Sequence, residues 1–166
     1  MKKNLLLIIA CMTFYSCDNV DSTKVEREGE PTIYKLNDED KQMNVAIVEA
    51  IKSLDTFKFA IISNNKNFIN FALKKRFKTA DGGEHIWLSD ITVKNEEYSG
   101  IVNNEPEYTN EVKLGDTVKI ERENISDWMY IANGKVKGGY TIRVLRDKMD
   151  EEEKKKFDVE TGLEFE

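Results

Sequence analysis

The chain is poor in the side chains that do chemistry. Its 166 residues hold one histidine, His85, and two cysteines, Cys11 and Cys17. The usual zinc sites recruit several His or Cys ligands and have no material here. Asp38, Glu39 and Asp40 offer carboxylates, but three acids at a helix start more simply favour its dipole. No segment follows the calcium-loop pattern. A Ser-His-Asp arrangement would depend on His85 alone, and no GxSxG elbow is present. There is no GxxxxGK[ST] and no GxGxxG after a strand, so nucleotide binding has no support. Gly82-Gly83 and Gly138-Gly139 are isolated pairs, read as turns that need positive φ. No cofactor is implied.

A long hydrophobic run is also missing. Lys2 and Lys3 precede a short apolar stretch, residues 5–10, and apolar character resumes at Met12, Phe14 and Tyr15. A spanning helix needs about 20 apolar residues. This segment reads instead as a secretory signal, residues 1–16. Ser16 before Cys17 in "FYSC" resembles a loose lipobox, with Phe14 where an aliphatic residue is usual. Cys17 is then the lipid acceptor, in the manner of palmitate-bearing lipoproteins. The other reading is an uncleaved anchor with an incidental cysteine. In a lipoprotein Cys11 leaves with the signal and Cys17 is consumed, so the mature domain has neither a disulfide nor a thiol nucleophile. The expected address is the cell envelope, outside the cytoplasm and anchored to a membrane.

The formal net charge of −6 becomes −8 once Lys2 and Lys3 are removed. Such a surface repels phosphate backbones, and nucleic acid is not an expected partner. Residues 17–37 are polar and poor in apolar periodicity, and read as a tether whose extended reach is roughly 60 Å. Residues 38–166 suit one domain, large enough to bury about two-thirds of its unfolded surface.

The spacing of Met43, Ile47, Ala50, Ile51 and Leu54 predicts a helix over 38–54, capped by Asn37 or Asp38. Alternation predicts strands over 68–79, 85–93, 98–102, 117–121 and 128–132. Asp81 to Gly83 and Asn133-Gly134 mark turns, the latter a strong hairpin signal. Residues 141–149 lean to a helix, and 150–157 carry acids first and lysines last, as a helix prefers. The expected class is α+β: an N-terminal helix on a curled, mainly antiparallel sheet, with short C-terminal helices.

Two constellations remain. His85 is a weak candidate base, with Asp127 or Glu84 as its acid, against the simpler reading of a strand histidine. Glu121, Glu123 and Asp127 lie near aromatics, yet their spacing fixes no geometry for sugar hydrolysis. The second set is Trp87, Asp127, Trp128, Tyr130, Tyr140 and Arg143. In one reading Trp128 and Tyr130 are core, Asp127 caps a turn and Arg143 pairs with an acid. In the other these residues line a groove for a peptide, glycan or partner loop, since Trp, Tyr and Arg are common anchors.

The stretch "GDTVKIERENISDWMYIANGKVKGGYTIRVLRDKM" resembles the YegJ-like bacterial domains, domain-of-unknown-function family 2314. The resemblance extends through "GEHIWL", "YSGIVNNEP", "DKQMNVAIVEAIKSLDTF" and "EEKKKFD", and so covers nearly all of 38–166. It implies one domain and no assigned catalytic residue. The expected function is a membrane-anchored, non-enzymatic module that binds a protein or envelope component. The alternatives are a hydrolase or lyase using His85, and a structural or toxin-inhibiting lipoprotein.

Overall fold

The computed structural model describes the backbone of residues 23–27 and 30–35, and the backbone and side chains of residues 41–80 and 82–165. The signal segment, Cys17 and the proposed caps Asn37 and Asp38 lie outside the described residues. Within the stretch read as a tether, β1 (Thr23–Arg27) and β2 (Glu30–Lys35) pair antiparallel, so its backbone carries a short ladder of its own.

The single helix expected over 38–54 is two: α1 (Lys41–Lys52) and α2 (Leu54–Ile62). Ser53 is the break. Its hydroxyl donates to the carbonyls of Glu49 (2.7 Å) and Ala50 (3.2 Å). A serine that bonds the preceding turn competes with the backbone and weakens the helix there. α1 buries Met43, Ala46 and Ala50, and α2 buries Leu54, Phe57 and Ala60, the spacing of an inward stripe.

Six strands form one antiparallel sheet: β3 (Phe68–Thr79), β4 (Gly82–Lys94), β5 (Glu97–Val102), β6 (Thr117–Ile120), β7 (Ile125–Ala132) and β8 (Lys135–Gly138), in the order β6-β5-β4-β3-β7-β8. Leu88, Leu73 and Trp128 lie in register across its centre and are buried with Phe57 and Leu54. Asn133 and Gly134 turn β7 into β8 with φ of 50° and 81°, as a two-residue hairpin requires.

The sheet is open but strongly curled, and its connections show why. Three strands separate β6 from β7, a gap of about 19 Å in a flat sheet. Only residues 121–124 join them, and Arg122–Asn124 form a 3₁₀ turn that rises about 2 Å per residue. The strands must bend round to meet. Register shifts between Ile69 and Ala72 and between Ser89 and Thr92 mark two of the bends. Asn70 and Asp90 occupy them with φ of 54° and 48°, a region these residue types tolerate. At the unclosed seam the Lys75 ammonium reaches from β3 to Glu121 (2.6 Å) and to the Lys119 carbonyl (2.7 Å).

Two helices finish the chain, α3 (Tyr140–Asp147) and α4 (Glu151–Thr161). Asp150 and Glu153 form a capping box at the start of α4. Arg146 grips Asp158 with two bonds of 2.8 and 2.7 Å, fixing α4 to α3. The chain then returns to the sheet edge, where the Val136 N–H donates to the Glu164 carbonyl (2.9 Å). The fold is α+β, with helices before and after the sheet as the pattern predicts.

Candidate functional site

β8 is short. It pairs with Met129 to Ala132 and stops at Gly138, leaving the first half of β7 without a strand on that side. The Gly139 N–H adds one more bond to the Trp128 carbonyl (2.8 Å) before the chain turns away. Gly138 and Gly139 both hold positive φ, 75° and 65°. A Cβ on Gly138 would stand 2.2 Å from the Trp128 carbonyl oxygen, so only glycine fits. This sharp turn lays the start of α3 against β7.

Asp127 receives it. Its carboxylate accepts four hydrogen bonds: from the backbone N–H of Trp128 (2.8 Å), Tyr140 (3.1 Å) and Thr141 (2.7 Å), and from the Thr141 hydroxyl (2.6 Å). The orphan amides of a helix start and its positive dipole end favour such a cap. Asp127 is fully buried. Burial pushes its pKa above the ordinary carboxylate value, against the pull of Thr141 and of the Lys74 ammonium.

Lys74 is the opposite charge. Register aligns Trp87, Lys74 and Asp127 in one row across β4, β3 and β7. The Lys74 ammonium donates to the Thr141 hydroxyl (3.2 Å) and sits 5.5 Å from the centre of the nearer Trp87 ring. Thr141 thus stands between the two charges. Burial pulls the Lys74 pKa below the usual lysine value, and Asp127 opposes that shift.

One strand residue along, the Ser126 hydroxyl lies 2.8 Å from His85 Nδ1 and donates weakly to the Lys74 carbonyl (3.3 Å). The register shift at Lys74/Lys75 admits Ser126 as the extra residue of a bulge. The acids proposed for His85 are otherwise employed. Asp127 holds α3, and Glu84 accepts the N–H groups of Glu107, Tyr108 and Thr109 at 2.8, 3.0 and 2.8 Å. His85 itself contacts Ser126, which is only 2% exposed.

The six aromatic and polar candidates separate. Trp128 and Tyr130 are core: 2% and 6% exposed, stacked with ring centres 6.0 Å apart. The indole N–H donates to the Ala50 carbonyl (2.9 Å) and to the Ser53 hydroxyl (3.2 Å), tying α1 to the sheet. The surface role considered for Asp127, Trp128 and Tyr130 gives way to an interior one, because Asp127 and Trp128 spend their polar atoms inside and the Tyr130 ring packs among Phe68, Phe71 and Trp128. Trp87, Tyr140 and Arg143 are half-buried. The expected acid partner of Arg143 is also corrected. Its guanidinium donates to the carbonyls of Gly138 (3.0 Å) and Val136 (3.1 Å), and lies over Phe165.

Tyr140 and Arg143 do line an open groove of about 510 Å³ between α1 and α3. Val45, Ala46 and Val144 supply apolar surface, and Lys41, Glu49 and Asp147 supply charge. The α1 side escaped the sequence reading because one amphipathic stripe explains a helix completely. Val45 lies off that stripe and is 62% exposed. Among the described residues no group of three or more His, Cys, Asp and Glu is placed to hold a metal ion. None of their helices is long and apolar enough to cross a membrane.

Residues 40–165 match the model of a family described as "Uncharacterized protein conserved in bacteria (DUF2314)". The chain is 41% identical over 104 residues to "Uncharacterized protein YegJ" of Escherichia coli K12, covering 62% of this chain and 67% of that protein. It is 32% identical over 145 residues to "Putative ankyrin repeat protein NMB1133/NMB1171" of Neisseria meningitidis serogroup B. That match covers 82% of this chain but only 57% of the relative's length. No solved structure matches. The polar cluster under α3 is thus built from the "ISDWMY" and "GGYT" segments of a chain that belongs to the uncharacterised bacterial DUF2314 family.

Proposed function

We propose that the chain is a non-enzymatic binding module of the cell envelope, held to a membrane by lipid on Cys17. It receives a partner protein in the groove between α1 and α3. The observation that carries this reading is the groove itself, where Tyr140 and Arg143 meet the exposed Val45 beside both signs of charge. Apolar surface rimmed by charge is the composition of a protein contact. The polar groups that would serve catalysis are instead engaged in capping α3 and bridging strands.

The test is site-specific photo-crosslinking from Val45 in the full-length chain in its native membrane fraction. Val159, 83% exposed on α4, serves as the control position. One discrete adduct from position 45, absent from 159 and lost when Val144 is changed to Asp, is the expected result. Equal labelling from both positions would overturn the groove reading. A Cys17→Ser chain should leave the membrane fraction, and its retention there would overturn the lipid anchor.

A further inference from the structure

The outer side of β3 and β4 carries a second surface, separate from the α1–α3 groove. Register pairs Lys74 with Trp87, Arg76 with His85, and Lys78 with Gly83. Alternate residues of a strand share a face, so these six form two adjoining columns. Leu73, Phe77, Ile86 and Leu88 occupy the other side and are buried in the core. The Lys74 end lies under Thr141, while Arg76 and Lys78 are exposed. Neither makes a side-chain hydrogen bond or ion pair with a described residue, although the chain carries 31 acids and a net charge of −6. The neighbouring Lys75, on the inner side, shows the contrast by pairing with Glu121.

Gly83 explains how Arg76 is held. The glycine pairs were expected to need positive φ, and Gly82, Gly138 and Gly139 have it. Gly83 is different. Its backbone is not in that region, yet a Cβ there would lie 2.4 Å from Arg76 Nε and 2.8 Å from its Cζ. The guanidinium therefore lies across the bare glycine, one strand pair from His85. The missing side chain is a seat for a cation rather than a turn.

We infer that this face binds an acidic polysaccharide through carboxylates set against Arg76 and Lys78, with a sugar ring flanking Trp87. A guanidinium takes a carboxylate with two parallel bonds, and Lys78 adds a point charge. The overall negative charge disfavours a denser polyanion such as polyphosphate. The half-buried indole favours a sugar over an acidic peptide, since an aromatic flank matches the apolar face of a pyranose.

The test measures binding of full-length, detergent-solubilised protein to polygalacturonate by calorimetry, with dextran, poly-L-glutamate and polyphosphate as comparison polymers. Polygalacturonate should bind, with affinity that falls as salt rises, and dextran should not. The double change Arg76→Ala and Lys78→Ala should weaken binding about tenfold or more, the scale of losing a charge-assisted pair. Changing Lys94 and Lys113 to Ala removes the same charge from other exposed positions and should leave binding intact. Equal binding of dextran, a stronger response to poly-L-glutamate or polyphosphate, or unchanged affinity in the Arg76 and Lys78 double variant would each overturn the proposal.

Discussion

Lys74 and Lys75 are neighbours in sequence and opposites in circumstance. The pleat of β3 sends Lys74 to the outer row with Trp87 and Asp127, and Lys75 to the inner seam beside β6. Lys75 meets its carboxylate directly, 2.6 Å from Glu121, and that acid keeps much contact with water. Lys74 is deeply buried and reaches Asp127 only through the Thr141 hydroxyl. The same side chain thus serves two designs. At the seam a solvent-softened ion pair latches two strands that the curl has brought together. Under α3 a desolvated charge is balanced by hydrogen bonds and a partner one atom removed. Proximity of opposite charges says little about stability until solvation is counted.

The largest break in this comparison should come from Asp127→Ala. It leaves three backbone amides and the Thr141 hydroxyl without their acceptor and the buried Lys74 ammonium without its countercharge, and should cost about 3–5 kcal/mol, read from the urea midpoint. A loss below about 1 kcal/mol would mean that the carboxylate is not the keystone of α3. Next, Lys74→Met should cost about 1–3 kcal/mol and Lys75→Met less than about 1 kcal/mol, in the same assay. The reverse order would show that the seam, not the α3 cluster, depends on its lysine.

The smallest effect is in the pH dependence. The Lys75 hydrogen bond holds the Glu121 pKa below the ordinary carboxylate value, aided by a backbone bond and Asn124. As pH falls, the unfolded chain takes up that proton first. The stabilisation is therefore present above the ordinary carboxylate range and lost as pH falls through it. Lys75→Met should flatten this part of the Tm profile between about pH 5 and 3. Asp127 has the opposite sign. Its raised pKa gives a contribution that is present below the ordinary value and lost as pH rises through the folded one.

Much of the sheet was legible in the sequence. Alternation placed β3 over 68–79 with its observed bounds, and Asn133-Gly134 marked the β7–β8 hairpin. Acids before lysines marked α4, where Asp150 proves to be the cap. The split of α1 from α2 was hidden, because Ser53 acts through carbonyl bonds that periodicity does not express. Trp128 and Tyr130 were ambiguous by nature, since the same residue types fill cores and interfaces. The cover over Lys74 comes from Thr141, 67 residues away, and no local pattern announces it. The outer row of Arg76 and Lys78 was within reach of the strand period. A lysine-rich strand, however, has the pattern of any solvated face, and nothing local distinguishes this one.

The double-glycine turn also bears on the order in which the chain acquires its structure. β7, β8 and the start of α3 close their mutual bonds within residues 125–141, from the Asn133-Gly134 turn to the Asp127 cap. Closing so short a loop loses little chain entropy, and local contacts form fast. Only afterwards must the Trp128 indole find the Ala50 carbonyl, 78 residues distant. Residues 125–141 are thus a template that can assemble early, on which the N-terminal helices condense.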